Sequence, residues 1–394
     1  MFRVGQEEID AVARVINSKQ LFRINNEGKE CETFEKELAE KMGANHALLL
    51  ASGTGALICA LAGLGVGPGD EVIVPGYTFM ATASAVLAVG AIPVLAEIDE
   101  TMTIDPIDVE KKITDKTKCI IPVHICGFPS NLDALKAIAE KHNLVILEDA
   151  CQADGGSYKG QRLGTIGKAG AYSFNYFKVI SAGEGGGVVT NDRKVYERAL
   201  IYHDGGANFR PFTDGLQEPV FIGSQLRVSE VTGAIMRVQL TRMDGILNDL
   251  RAVKAKLMKE LDGVLRFSRS NDIEGDCGTT LVFNFDTAEQ CTAFKNAFNE
   301  TKEAKAWIPF ESGKHVYINW TPIMEKRGGH CDAVNPYKMA ANADLLINNA
   351  TPDACPQTLD ILKKTCYISL HCDWSEEKIA AIVAQAKVAA AAAK

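Results

Sequence analysis

Short, almost wholly apolar runs recur in the first half of the chain: Glu71-Val-Ile-Val-Pro, Ile92-Pro-Val-Leu-Ala, Cys119-Ile-Ile-Pro-Val and Leu144-Val-Ile-Leu. Runs without polar alternation are strands covered on both faces, the condition of a parallel sheet packed between helices. Leu132-Asp-Ala-Leu-Lys-Ala-Ile-Ala-Glu-Lys, between two of the runs, has the amphipathic pattern of a crossover helix. The chain is therefore expected to be α/β with a mostly parallel central sheet. No repeat of solenoid period is present. From Val238 to Leu261 the pattern turns helical, with Leu240, Met243, Ile246 and Leu247 on one face. This segment is expected to bridge a large domain, residues 1–250, to a smaller C-terminal domain, residues 251–394. The alanine-rich end, Val388 to Lys394, reads as a helix terminus without chemistry.

Three segments carry the candidate chemistry. In Ala171-Tyr-Ser-Phe-Asn-Tyr-Phe-Lys178-Val-Ile-Ser-Ala-Gly-Glu-Gly-Gly-Gly, one lysine stands between an aromatic, hydroxyl-bearing stretch and a glycine-rich turn. A lysine in an apolar pocket can form an imine, and this setting suits a Schiff base to pyridoxal phosphate; the other reading is a solvated turn between strands. The run Leu144-Val-Ile-Leu ends abruptly in Glu148 and Asp149. Sites in open α/β sheets lie at such carboxyl ends. An aspartate there can pair with a protonated pyridine nitrogen, or serve as a helix N-cap or surface ion-pair partner. In Leu48-Leu-Leu-Ala-Ser52-Gly53-Thr54-Gly55, a strand leads into a small turn and a helix start. Free amides there bind phosphate, and Gly53 and Gly55 permit close approach; an ordinary capped helix would look the same.

Taken with Gly5-Gln-Glu-Glu-Ile-Asp, Pro75-Gly-Tyr-Thr-Phe79, Gly90-Ala-Ile-Pro-Val, Pro122-Val-His-Ile-Cys-Gly127 and Glu148-Asp-Ala-Cys-Gln152, the chain resembles, almost end to end, the DegT/DnrJ/StrS family of pyridoxal-phosphate-dependent sugar aminotransferases. The resemblance implies a fold-type-I transferase: a large domain with a mostly parallel seven-stranded sheet, and a smaller C-terminal α/β domain. It implies that Lys178 forms the Schiff base and shuttles the proton, and that Asp149 keeps the pyridine nitrogen protonated. It further implies that Phe79 stacks on the ring, that Gln152 neighbours the phenolic oxygen, and that Gly53, Thr54 and Ser173 bind phosphate. Phe79 reads equally as core packing, and Ser173 as a buried hydroxyl bonded to backbone.

In Gly223-Ser-Gln225-Leu-Arg227, a loop that in the family reaches into the partner subunit's site, Gln225 stands where asparagine is usual. Arg227 could hold a carboxylate bidentately or form a surface salt bridge. Asp154 stands where histidine is common and is expected near the mouth of the site. Cys151, beside Asp149, reads as reactive or as simply packed. Around Lys314-His315-Val-Tyr317-Ile-Asn319-Trp320, hydrogen-bonding and stacking groups suit a sugar, with His315 and Tyr317 as substrate candidates and His330 nearby. The expected reaction moves an amino group from glutamate to an oxo-sugar. Within the family the overall run of sequence resembles the branch that acts on 3,8-dideoxy-8-oxo-manno-octulosonate, an acidic precursor in lipopolysaccharide synthesis; the resemblance implies that acceptor here, whose carboxylate Arg210 or Arg227 would hold. Alternatives are a nucleotide-linked keto-sugar or aminocyclitol acceptor, or a regulator that binds the cofactor without turning it over. A dehydratase on this scaffold would replace the lysine, and a regulator would need an output module such as helix-turn-helix. The family also implies a homodimer with shared sites.

Composition narrows the remaining classes. The net charge of −8 gives no basic footprint for nucleic acid. No apolar stretch is long enough to span a bilayer, and Met-Phe-Arg-Val-Gly-Gln-Glu-Glu does not read as a signal peptide, so a cytoplasmic enzyme is expected. Eleven cysteines at irregular spacing show neither paired metal-ligand motifs nor a disulfide framework, and no metal is expected.

Overall fold

The computed structural model describes residues 2–24, 27–208, 210–347 and 349–394. The apolar runs form strands as their pattern predicts: β1 (His46–Leu50), β2 (Glu71–Pro75), β3 (Ile92–Ala96), β4 (Thr117–Ile120) and β5 (Val145–Asp149). Two more, β6 (Ala169–Ser173) and β7 (Gly186–Thr190), complete a seven-stranded sheet of order β1-β7-β6-β5-β4-β2-β3. Strand β7 runs antiparallel to both its neighbours, and the other strands pair in parallel. β2 and β3 are buried along their whole length, which explains why neither shows polar alternation.

Helices α1 (Gln6–Ser18) and α2 (Glu30–Met42) pack against the 31-residue helix α3 (Glu230–Glu260). Charges tie them: Arg237 bridges Glu30 and Glu37 at 2.8 Å each, and Arg242 reaches Glu8 at 2.8 Å. Met243, Ile246 and Leu247, the predicted apolar stripe, are fully buried. Residue 250 lies inside α3, which carries the chain from the first sheet to a second. That second sheet is antiparallel and four-stranded, built from β8 (Arg266–Phe267), β9 (Thr280–Asn284), β10 (Ala306–Trp307) and β11 (Thr365–Ser369). Helices Ala288–Phe298 and Glu376–Ala392 pack together beside it, their apolar residues sharing its core.

The segment between β10 and β11 turns back to the first sheet. Tyr317, Trp320, Ile323 and Leu345 join the apolar core that holds β1 residues Leu48 and Leu50. The carboxyl edge of the large sheet therefore faces both this returning segment and the second sheet.

Candidate active site

At the carboxyl edge of the large sheet lies a cavity of about 600 Å³, a volume suited to a cofactor with a small substrate. Strands β1, β5 and β6 deliver Ser52, Asp149 and Ser173 to it, the loop after β2 brings Phe79, and β11 contributes Tyr367.

One end of the cavity is an anion cradle. Ser52 caps the helix Gly53–Gly63, its Oγ accepting from the Gly55 amide at 3.0 Å, while the Ser52 carbonyl accepts from Ala56. The first of these takes up one amide that a helix start leaves open and the second is the first bond of the helix itself, so Gly53 and Thr54, which line the cavity, are left to offer theirs. Gly55 thereby spends its amide on the cap. Position 53 requires glycine, because a Cβ there would lie 2.8 Å from Ser173 Cβ and 2.9 Å from Cys151 Sγ. The Ser173 hydroxyl faces the same point, 3.1 Å from that hypothetical Cβ.

Asp149, only 4% exposed, lines the same cavity. Its Oδ2 accepts from Thr82 Oγ1 at 2.7 Å and its Oδ1 from the Cys151 amide at 3.1 Å. Two hydrogen bonds and no ion pair among the described residues leave a buried acceptor suited to a protonated ring nitrogen. Neither a helix cap nor a surface pair describes it. Behind it Glu148 accepts from the Gly164, Ile166 and Gly167 amides and from His124 Nε2 at 3.0 Å, which fixes the end of β5.

Lys178, half-buried in the loop from β6 to β7, lines the same cavity. Gln152 keeps its Oε1 on the Cys126 amide at 3.0 Å, which leaves its NH₂ group as a donor. Phe79 is 42% exposed, which rules out core packing, and its ring lies 5.7 Å from that of His315. Burial, helped by Lys314 and then Lys178, pushes His315 down to about 4, so its imidazole is neutral near pH 7. Helix start, carboxylate, exposed aromatic face and lysine, all lining one cavity, fit pyridoxal phosphate in size and donor set.

Comparison with known proteins agrees with this geometry. The family model described as the DegT/DnrJ/EryC1/StrS aminotransferase family matches residues 3–306. The chain belongs to that family. It is 39% identical over 256 residues to the dTDP-3-amino-3,4,6-trideoxy-alpha-D-glucose transaminase of Streptomyces venezuelae, covering 64% of this chain and 65% of that protein. It is 35% identical over 275 residues to the 3-amino-5-hydroxybenzoate synthase of Amycolatopsis mediterranei, covering 68% of this chain and 69% of the relative. The chain thus spans less than two thirds of the length of the first curated relatives it matches. The crystal structure of an aminotransferase from Psychrobacter cryohalolentis superposes with a TM-score of 0.80 at 28% identity, over 97% of this chain and 96% of that one. The fold is that of these pyridoxal-phosphate-dependent sugar aminotransferases.

The cavity gathers Gly53, Thr54, Phe79, Asp149, Gln152, Ser173, Lys178 and His315 from the sequence-predicted set. Cys151 and Asp154 line it as well, and the remaining candidates lie elsewhere. Tyr317 is fully buried, donating its hydroxyl to the Pro352 carbonyl at 2.6 Å and accepting from the Cys355 amide, so it presents nothing to a substrate. Arg210 and Arg227 both pair with buried Asp204, Arg210 Nε at 2.8 Å, and neither lines the cavity. Gln225 is exposed on the same loop as Arg227. Asp154 is buried, not at the mouth: a tight turn after β5 directs it inward. Burial raises Cys151 well above the usual thiol range, which keeps it protonated. Thr82 and Lys314 line the cavity without having been singled out by any motif, since a helix threonine and a surface lysine are unremarked in sequence.

Proposed function

We propose that the protein is a pyridoxal-phosphate-dependent aminotransferase that moves an amino group from glutamate to an oxo-sugar acceptor. The observation that carries this reading is one cavity lined together by Lys178, by the helix start at Gly53 and Thr54 with Ser173, and by buried Asp149. Gly53, Thr54 and Ser173 would hold the phosphate, Asp149 the ring nitrogen, Gln152 the phenolic oxygen and Phe79 one ring face. Bound there, the cofactor supplies an electron sink for the bonds broken at the amino carbon. Lys178 supplies the amine that holds the cofactor and, once free, carries the proton on and off that carbon. Side chains from both sheets line the cavity around it.

The acceptor we favour is the sugar acid 3,8-dideoxy-8-oxo-manno-octulosonate. Among the described residues lining the cavity the cations are Lys178 and Lys314. With Arg210 and Arg227 committed to Asp204, Lys314 is the group suited to a sugar carboxylate. A nucleotide-linked keto-sugar is the second reading, supported by the name of the Streptomyces venezuelae relative. We propose further that the chain acts as a homodimer in which Gln225 serves the neighbouring site. Exposed Tyr176 and Phe177, next to Lys178, support an interface there.

Absorbance of cofactor-loaded protein, with glutamate and then a panel of acceptors, tests the reading. Glutamate should bleach the band and the octulosonate restore it. Restoration by a nucleotide-linked sugar alone would replace the acceptor, and no response to any donor would contradict transamination.

A further inference from the structure

Among the described residues other than glycine that have a left-handed backbone, Cys126 is the one that lines the cavity. It lies in the turn Ile125–Gly127 after β4, with φ 54° and ψ 21°. That conformation is strained for a residue with a Cβ and persists only where its surroundings hold it. Two elements do so. From the segment before β9 of the second sheet, Thr279 Oγ1 donates to the Cys126 carbonyl at 2.6 Å, and the Cys277 amide donates to the Gly127 carbonyl at 3.2 Å. From the turn after β5, Gln152 Oε1 accepts from the Cys126 amide at 3.0 Å. Thr279 is 5% exposed, and its own carbonyl accepts from the amide of Leu370, directly after β11, at 2.8 Å, so the second sheet fixes the place of its hydroxyl. The sense of the Gln152 bond follows from chemistry: a backbone N–H can only donate, so the side-chain carbonyl must face it and the NH₂ group is left to offer to the cavity that Gln152 lines. Turned over, the amide would set its NH₂ group against the Cys126 N–H.

We propose that Thr279 is a positioning residue for Gln152: by holding Cys126 in its left-handed conformation, it keeps the Cys126 amide on Gln152 Oε1 and so decides which end of the Gln152 amide a ligand meets. The second sheet thereby prepares a donor on a turn of the first. Beside the phenolic oxygen of the cofactor, where Gln152 is read above, that donor steadies the negative charge of the oxygen. The inference rests on that reading for one of its two tests only.

The first test needs no cofactor. Thermal unfolding of the cofactor-free full chain is compared for wild type, T279V, Q152A and the double variant. T279V should lower the melting temperature by a few degrees, and by clearly less in the Q152A background, because the two bonds support the same strained residue. The second test follows the absorbance of cofactor-loaded protein against pH. A donor that steadies the charge on the phenolic oxygen favours loss of the proton beside it, so a loosened Gln152 should move the midpoint of the spectral transition up. T279V should raise it by about 0.5–1 unit, the worth of one weakened hydrogen bond. T279S, which keeps the hydroxyl, should restore it, and T279V should add nothing in the Q152A background. Should T279V fail to fold, T279A removes the same hydroxyl with a smaller side chain. Melting shifts that simply add, or a T279V midpoint that stays in place or moves equally without Gln152, overturn the proposal. A wild-type protein that shows no cofactor band would defeat the reading of Lys178, and the melting cycle would still decide whether Thr279 and Gln152 act together.

Discussion

At the scale of single residues, Asp149 has its two oxygens fixed by Thr82 and the Cys151 amide. Removing the Thr82 hydroxyl in T82V deletes a bond to a charged acceptor, worth about 1.5–3 kcal/mol. The melting temperature of the cofactor-free chain should therefore fall, and cofactor retention, measured by equilibrium dialysis, should weaken as well, because Asp149 loses one of the two bonds that orient it. Lys314 makes a sharper distinction between acceptors. K314A should raise KM for a carboxylate-bearing sugar by about tenfold, the worth of one charge-assisted hydrogen bond, and leave a neutral acceptor unaffected. Equal effects on both acceptors would argue that Lys314 only packs over Phe79, whose ring centroid lies 5.7 Å from its Nζ. Lys178 and Asp149 were legible in the sequence because each closes a motif whose flanks dictate its place. The places of Tyr317 and Arg210 within the chain were not legible, because a hydroxyl or guanidinium has the same letter whether it meets substrate, a carbonyl or a buried Asp204.

Among the elements, the helix Gly53–Gly63 and its cap matter most for the site. S52A should cost about 1 kcal/mol of stability through the lost cap and should also loosen cofactor retention, since an uncapped first turn no longer holds the Gly53 and Thr54 amides in place. G53A should be more severe for binding, because its Cβ must displace Ser173 or Cys151 from the cradle. Melting curves with and without cofactor separate the two effects. The strands of the large sheet were readable from their unbroken apolar runs, and α3 from its period. The antiparallel setting of β7 and the return of residues 313–355 to the first core were not. Register between distant strands depends on contacts that local patterning does not encode, and the returning segment consists of short turns with no period of their own.

For the molecule as a whole, no helix among the described residues is long and apolar enough to cross a membrane. Its stability should depend on acid through buried His203. Burial, together with Arg23, pushes that imidazole down to about 3, while its Nδ1 donates to the Leu200 carbonyl at 2.6 Å. The unfolded chain therefore binds a proton that the native chain refuses. Stability is fully present above the unfolded histidine value, about 6.5, and is lost as pH falls from there toward 3. H203Q should flatten that part of the melting-temperature profile; an unchanged slope would place the acid sensitivity elsewhere. The division of labour between the two sheets, with the cofactor groups on one and Thr280 and Tyr367 of the other closing the cavity, explains why the family match and the site agree while the acceptor stays a question of side chains. The most direct measurement is borohydride reduction of the cofactor-loaded protein followed by peptide mass mapping. A pyridoxyl mass on Lys178 alone is the expected result; a label on another lysine, or none, would contradict the assignment of this cavity as the catalytic centre.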